Sequence, residues 1–441
     1  MFTRVIDKIN PIYLGIYFLI FIFILFLNHF LLKHNKNSFN LKDYLIFLFS
    51  ISLTIYVFEI NQFLPIKGSI FFQGDTFADA VKLFMSYGHI FTVENMYDFK
   101  VPYEWIDANP YSEKLINTEN GLVNMHLTPF YSLLNHFFAY LVLFIFKDIY
   151  LFVVFYAFIY CLMTKKSLKN NYFVLIYIIS FPSVFMFQRG NFIAGISGLL
   201  IFRILSNFFN NKLDKIDYLF LIIVASLRPN YILFCFLLIE PKFIVKSLKT
   251  LTVFFSGFIS FNIASYIILN FLYPSYNFAN FLSGLNWYNL NHLAGGDGFD
   301  SSTYRTILTF FRITDQNQQR SLQLIVLMLF MLIFLYLLTL YFYAKIGKFD
   351  FSLSLFSVSI LATSPIGEYH LIVFVIFLIY YFIYKKSNWN YYILPLTIVI
   401  IPKFHNPMFD DINYSLFLNN ISISIIILTT IYIGTKNRID S

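Results

Sequence analysis

The stretch SLQLIVLMLFMLIFLYLLTLYFYA, residues 321–344, decides the fold class, because it contains no charged side chain. About 20 apolar residues in a helix cross a ~30 Å hydrocarbon core, so this run is long enough to span a membrane. Similar runs recur at about 11–33, 42–62, 128–146, 149–163, 171–187, 190–209, 217–240, 250–273, 351–363, 369–384, 391–402 and 413–434. Composition agrees: 59% of the 441 residues are hydrophobic and 12% charged, against about 45–50% and 25% in a soluble domain. An ordinary soluble enzyme, a disordered chain and a disulfide scaffold are excluded. Continuous rather than alternating runs favour helices over a barrel. The expectation is an all-α polytopic integral membrane protein with a bundle of about 11–13 transmembrane helices.

Charge places the loops. Short Lys and Arg clusters mark cytoplasmic segments, here Lys33/Lys36/Lys42, Lys165/Lys166/Lys169, Lys212/Lys215, Lys242/Lys246/Lys249, Lys345/Lys348, Lys385/Lys386 and Lys436/Arg438. The +8 net charge is therefore the signature of membrane topology and not of nucleic-acid binding. Between Gln62 and His126 eight acids face four lysines, so that segment reads as external, as does the Asn-, Ser- and Gly-rich stretch Pro274 to Arg320. The expected organisation is N-terminal transmembrane helices at 1–62, a large external loop with short interfacial helices at 63–127, transmembrane helices at 128–273, a second external loop at 274–320 and C-terminal transmembrane helices at 321–441. The N-terminus is placed outside, with no cleavable signal peptide. For this alternation to hold, 217–240 must enter and return as a hairpin, and one of two helices in 128–163 must be re-entrant or interfacial. Pro229, Pro365 and Pro402 mark broken helices, which survive only where the freed backbone is buried in protein or lines a polar cavity. Cys161 and Cys235 lie in apolar runs and read as small hydrophobes. The many Phe, Tyr, Ile, Asn and Lys residues are equally explained by an AT-rich genome.

Ionisable residues at membrane depth are costly and mark functional sites by default. Four places qualify, all on the external side of this topology. Gly74-Asp75-Thr76-Phe77-Ala78-Asp79 follows an apolar run; Asp75 reads either as a general base or as the N-cap of the helix after it. Gln188-Arg189-Gly190-Asn191 separates two runs and Arg228-Pro229-Asn230 interrupts one. An arginine there is either a snorkelling anchor or a bidentate fork for phosphate oxygens. At Ser364-Pro365-Ile366-Gly367-Glu368-Tyr369-His370 a helix break sets Glu368 and His370 side by side at the membrane surface, for a site or for each other. Gly295-Gly296-Asp297-Gly298-Phe299-Asp300 lacks the oxygen spacing of a calcium loop. Zinc spacing, a Walker sequence and a nucleotide-binding glycine fingerprint are all missing from the sequence.

In order along the chain stand the acidic Gly74-Asp75, then Asn109-Pro110-Tyr111, His126-Leu127-Thr128-Pro129, Arg189-Gly190-Asn191, Leu227-Arg228-Pro229, and Ser364-Pro365 followed by His370. This order resembles the C-type glycosyltransferase (GT-C) superfamily, and within it the bacterial polyprenol-phosphate-mannose-dependent alpha-mannosyltransferase family, over roughly residues 60 to 385. Each motif is short and moderately specific, so their order and shared membrane face carry the likeness. The chain departs from the family in having His126-Leu127-Thr128-Pro129 where two prolines usually follow a Tyr. It also has Arg228 where Lys is frequent, and one helix before the usual first.

The resemblance implies a GT-C-like bundle in the bacterial cytoplasmic membrane with its site facing outside. It implies an inverting hexosyltransferase that takes a mannose-like monosaccharide from a polyprenyl-phosphate-linked sugar donor in the membrane lipid to a glycolipid or cell-envelope glycan acceptor. Asp75 would be the base, with Asp79, one turn on, as its rival. Arg228, His370 and Arg189 would hold the donor phosphate, with Asn191, Asn230, His126 and Glu368 lining the cavity; neither metal nor cofactor is implied. A polysaccharide polymerase or O-antigen ligase shares the helix count and external arginines and would reveal itself by an essential Arg or His within 275–320. A transporter or flippase would show inverted repeats and midplane binding residues.

Overall fold

The computed structural model describes residues 128–439, apart from most of 142–148 and 273–314 and all of 169–170, 211–212, 240–242, 363–367, 385–388 and 401–413. The expected N-terminal helices at 1–62, the loop 63–127 and most of the loop 274–320 lie outside the described residues, as do Asp75, Asp79 and His126. Every described element is helical. In chain order they are α1 (Pro129–Tyr140), α2 (Ile149–Ser167), α3 (Asn171–Ile179), α4 (Phe181–Arg189), α5 (Phe192–Phe209), α6 (Lys215–Leu227), the 3₁₀ segment η1 (Pro229–Leu238) and α7 (Ile244–Leu272). There follow α8 (Gln316–Phe342), α9 (Lys348–Ala362), the 3₁₀ turn η2 (Glu368–Leu371), α10 (Ile372–Tyr384), α11 (Trp389–Ile400) and α12 (Tyr414–Ile439).

Four of these helices, α5, α7, α8 and α12, are long and apolar enough to cross a membrane. The outer faces of α7 and α8 carry bare hydrophobics: Phe271 is 85% exposed and Val253 and Met328 each 68%. Soluble monomers rarely expose contiguous apolar patches above a few hundred Å², so these are faces for lipid, and the chain is an integral membrane protein. The opposite case is α10. From Leu371 to Ile379 every residue is buried, and a helix apolar all round belongs in the centre of a bundle. It packs on α3, α5 and α11, and on α9 through the Phe349–Tyr381 and Phe356–Phe374 ring pairs.

Side-chain pairs give the helix directions. Gly257 of α7 lies against Ile222 of α6, and five residues on, Asn262 donates to the Ser226 hydroxyl at 3.0 Å. Hence α6 and α7 run parallel, and the chain between them must come back. That return is η1, packed on α6, so 217–240 is the expected hairpin, broken at Arg228–Pro229. The run expected as one span at 171–187 is also broken. Pro182 enters α4 at its first turn, and the hydroxyls of Ser180 and Ser183 donate to the Tyr177 carbonyl at 2.7 and 2.6 Å. At the other boundary, α8 begins at Gln316, ahead of the apolar run, because Asp315 caps it by accepting from the Gln318 N–H at 2.8 Å. A polar first turn of Gln, Asn and Arg hides that start from a hydropathy reading.

Candidate functional site

The site grows from the end of α6. Pro229 has no N–H to donate and pushes the residue before it out of the helical region, and Arg228 is extended at φ −142°, ψ 110°. Ending a helix orphans its last carbonyls. One of them, that of Ser226, accepts from the Thr128 hydroxyl. The same Thr128 caps α1, its hydroxyl oxygen accepting from the Tyr131 N–H at 3.2 Å, with Pro129 in the first helical position. One threonine thus ties the start of α1 to the end of α6. Tyr131, a turn into α1, presents its ring to the Arg228 guanidinium, whose carbon lies 5.1 Å from the ring centre. Arg228 itself is half-buried.

Both ends of α1 stay at this end of the bundle. Phe138 packs on Phe192, the first residue of α5, at 6.2 Å between ring centres. α1 therefore links the end of α6 to the start of α5 within one short helix.

The Arg189-Gly190-Asn191 stretch is a helix-ending turn. Gly190 has φ 67°, a left-handed conformation that glycine adopts without steric cost. Its N–H bonds the Phe187 carbonyl at 3.1 Å, and that of Asn191 bonds Met186 at 3.0 Å, the paired bonds of a Schellman motif. Asn191 then caps α5, its side-chain oxygen accepting from the Ala194 N–H at 3.1 Å. Glycine and asparagine build the turn, which leaves Arg189 at the last position of α4. Two residues later Ile193 joins a buried cluster with Tyr131 and Leu227, so the turn at 190 and the break at 228 are neighbours. The fourth element, η2, packs on α4, and His370 within it is buried at 3% exposure.

The structure therefore brings the Thr128-Pro129, Arg189-Gly190-Asn191, Leu227-Arg228-Pro229 and Glu368–His370 segments to one end of the bundle. Arg189, Asn230 and Glu368 are positioned by their backbones alone; their side chains lie outside what the structure describes. Sequence reading overlooked Tyr131 and Tyr231. Each stands three residues after a residue of a quoted motif, Thr128 and Arg228 respectively, and that i, i+3 spacing on a helical turn was the available signal.

No family model matches the chain. Nor does any curated protein or solved structure.

Proposed function

We propose that this protein is an inverting GT-C-type glycosyltransferase of the bacterial inner membrane. It moves a mannose-like monosaccharide from a polyprenyl-phosphate donor to a lipid-linked or cell-envelope glycan acceptor on the external face. The observation that supports this reading is the convergence of four short motifs, spread from residue 128 to residue 370, at one end of an apolar helix bundle around the Arg228 break. Snorkelling alone gives no reason for an arginine to sit at an opened backbone with an aromatic ring against its guanidinium.

In this reading Asp75, or its rival Asp79, takes the proton from an acceptor hydroxyl. That oxygen attacks the anomeric carbon through an oxocarbenium-like state. The bond from the anomeric carbon to the phosphate oxygen breaks, and the phosphate leaves with the bonding pair. Arg228, with His370 and Arg189, stabilises the charge that gathers on it, an effect worth about 10²–10³-fold per well-placed donor. The donor chain lies among lipid-facing helices such as α7 and α8, and its head group enters where α6 stops.

The test is transfer by purified protein in lipid from a panel of radiolabelled polyprenyl-phosphate monosaccharides, with total host lipid as acceptor. Label is expected in a new glycolipid. It should vanish in Asp75→Asn and fall about 10²-fold in Arg228→Ala, with both variants folded and inserted. Near-normal turnover in Asp75→Asn removes Asp75 as the base. Absence of transfer from every monosaccharide donor, beside an active control enzyme, transfers the assignment to a polymerase or ligase.

A further inference from the structure

Tyr231 follows the break at Arg228 by three residues. Its N–H bonds the Arg228 carbonyl at 2.9 Å, which closes the first 3₁₀ turn after the break. The ring is fixed on the other side, stacked on Phe356 at 5.8 Å and packed on Phe234 at 6.0 Å. Tyr231 is only 2% exposed, yet its hydroxyl has no hydrogen-bond partner among the described residues. A buried hydroxyl left unmatched is costly, so a tyrosine held there without a partner among the described residues needs a reason that phenylalanine would not satisfy. A guanidinium and a hydroxyl on residues three apart at one backbone break make a set of donors, and what such a set completes is an anion rich in acceptor oxygens.

We propose that Tyr231 donates its hydroxyl proton to a phosphate oxygen bound beside Arg228. This inference rests on the glycosyltransferase reading, in which that phosphate belongs to the lipid-linked donor. Arg228 supplies charge to the leaving phosphate; Tyr231 supplies a directional, neutral donor that fixes which oxygen is held and so the approach of the sugar to the external cavity. The hydroxyl is a binding group waiting for its acceptor, which is why the described residues offer it none.

The test uses the full-length protein in lipid nanodiscs, with polyprenyl phosphate, polyprenol lacking the phosphate, and inorganic phosphate as probes. Wild type, Tyr231→Phe and Arg228→Ala are compared for probe affinity and for melting temperature without ligand. Tyr231→Phe should bind polyprenyl phosphate at least about tenfold more weakly, the scale of one hydrogen bond to a charged group. It should bind polyprenol as wild type does and melt no lower than wild type. A hydroxyl with a structural task gives the reverse pattern, a lower melting temperature with unchanged affinity, and that result overturns the proposal. Equal affinity in wild type and Tyr231→Phe, with loss in Arg228→Ala, also overturns it while leaving the donor-phosphate reading of Arg228 in place. If wild type binds inorganic phosphate with the same dependence on Tyr231 but ignores the lipid, the hydroxyl's role stands and the lipid-donor reading falls. If wild type binds neither phosphate, both readings fall together.

Discussion

The two ends of α6 hold the two polar clusters that the bundle displays most clearly, and they are finished differently. At its start, Asp217 is fully buried and every oxygen is used. Arg203 donates to it at 3.2 Å, Asn207 at 3.1 and 2.8 Å, and the Asp214 N–H at 2.9 Å. Asp214 returns the favour as N-cap, accepting from the Asp217 N–H at 2.9 Å in a reciprocal capping box. At its end, Arg228 rests on the Tyr131 ring, and the neighbouring Tyr231 hydroxyl is buried with no described partner. A polar cluster that exists to hold helices together closes on itself, because each unmatched buried group weakens the fold. A cluster that exists to bind leaves a donor unspent. By that criterion the start of α6 is a structural clasp and its end is the candidate site.

The largest expected effect tests the clasp. Asp217→Ala strands Asn207 and the Asp214 N–H and takes from Arg203 its buried partner, whereas breaking a buried pair typically costs about 3–5 kcal/mol. Because the Arg203 side chain is 42% exposed and keeps Asp214 at 3.2 Å, the low end, about 3 kcal/mol, is expected. It should appear as a lower melting temperature in lipid, while the correctly folded fraction binds polyprenyl phosphate with wild-type affinity. Reduced affinity in that folded fraction would mean that the two ends are not separable and that the contrast drawn between them is wrong.

How much of this was legible in the sequence follows from where each signal lies. Apolar runs with few charges gave the helical membrane class, because in a bilayer hydropathy and length decide nearly everything. Arg228-Pro229 announced a break, because a missing N–H is a local fact. The parallel direction of α6 and α7 was implied only by topology and needed the Gly257 and Asn262 contacts to be seen. The split at Ser180 escaped because the residues on both sides are apolar, and two serine hydroxyls do the repair. Arg189-Gly190-Asn191 was read as a single chemical motif, yet two of its three residues build a turn, a division of labour that only backbone angles reveal. Asn191 is thus at the expected place with its oxygen committed to a cap. Tyr131 and Tyr231 were lost among 33 tyrosines, where composition gives no reason to choose one.

A smaller effect sharpens the site end. Tyr131 touches the guanidinium and acts through it, as a positioning residue. Cation–π contacts contribute about 0.5–2 kcal/mol, so Tyr131→Leu, which keeps apolar bulk against Ile193 and Leu227, should raise KM for the donor about two- to thirtyfold. The effect on kcat should be smaller, and Tyr131→Phe, which retains the ring face, should restore KM. A leucine variant as good as the phenylalanine one would show that Tyr131 only fills space, and the aromatic support of Arg228 would drop out of the comparison.

The smallest effect is a pH dependence confined to the clasp. The Asp217 backbone N–H, aided by the Arg203 charge, holds the Asp214 carboxyl below its ordinary value of 3.8. A carboxyl lowered in the folded state stabilises the fold above its unfolded pKa, and that contribution disappears as pH falls through the folded value. Melting temperature in lipid should therefore be insensitive to this group from neutral pH down to about 5 and decline below about 4. Asp214→Asn retains a good N-cap acceptor but has nothing to titrate, so its decline over the same acid range should be shallower. Since Asp214 lies on the exposed rim of the clasp, the difference between the two curves should be small and should shrink further in high salt. Superimposable curves would show that the capping box holds by geometry alone, and the clasp would then owe its stability to the buried Asp217 contacts without help from the outer charge.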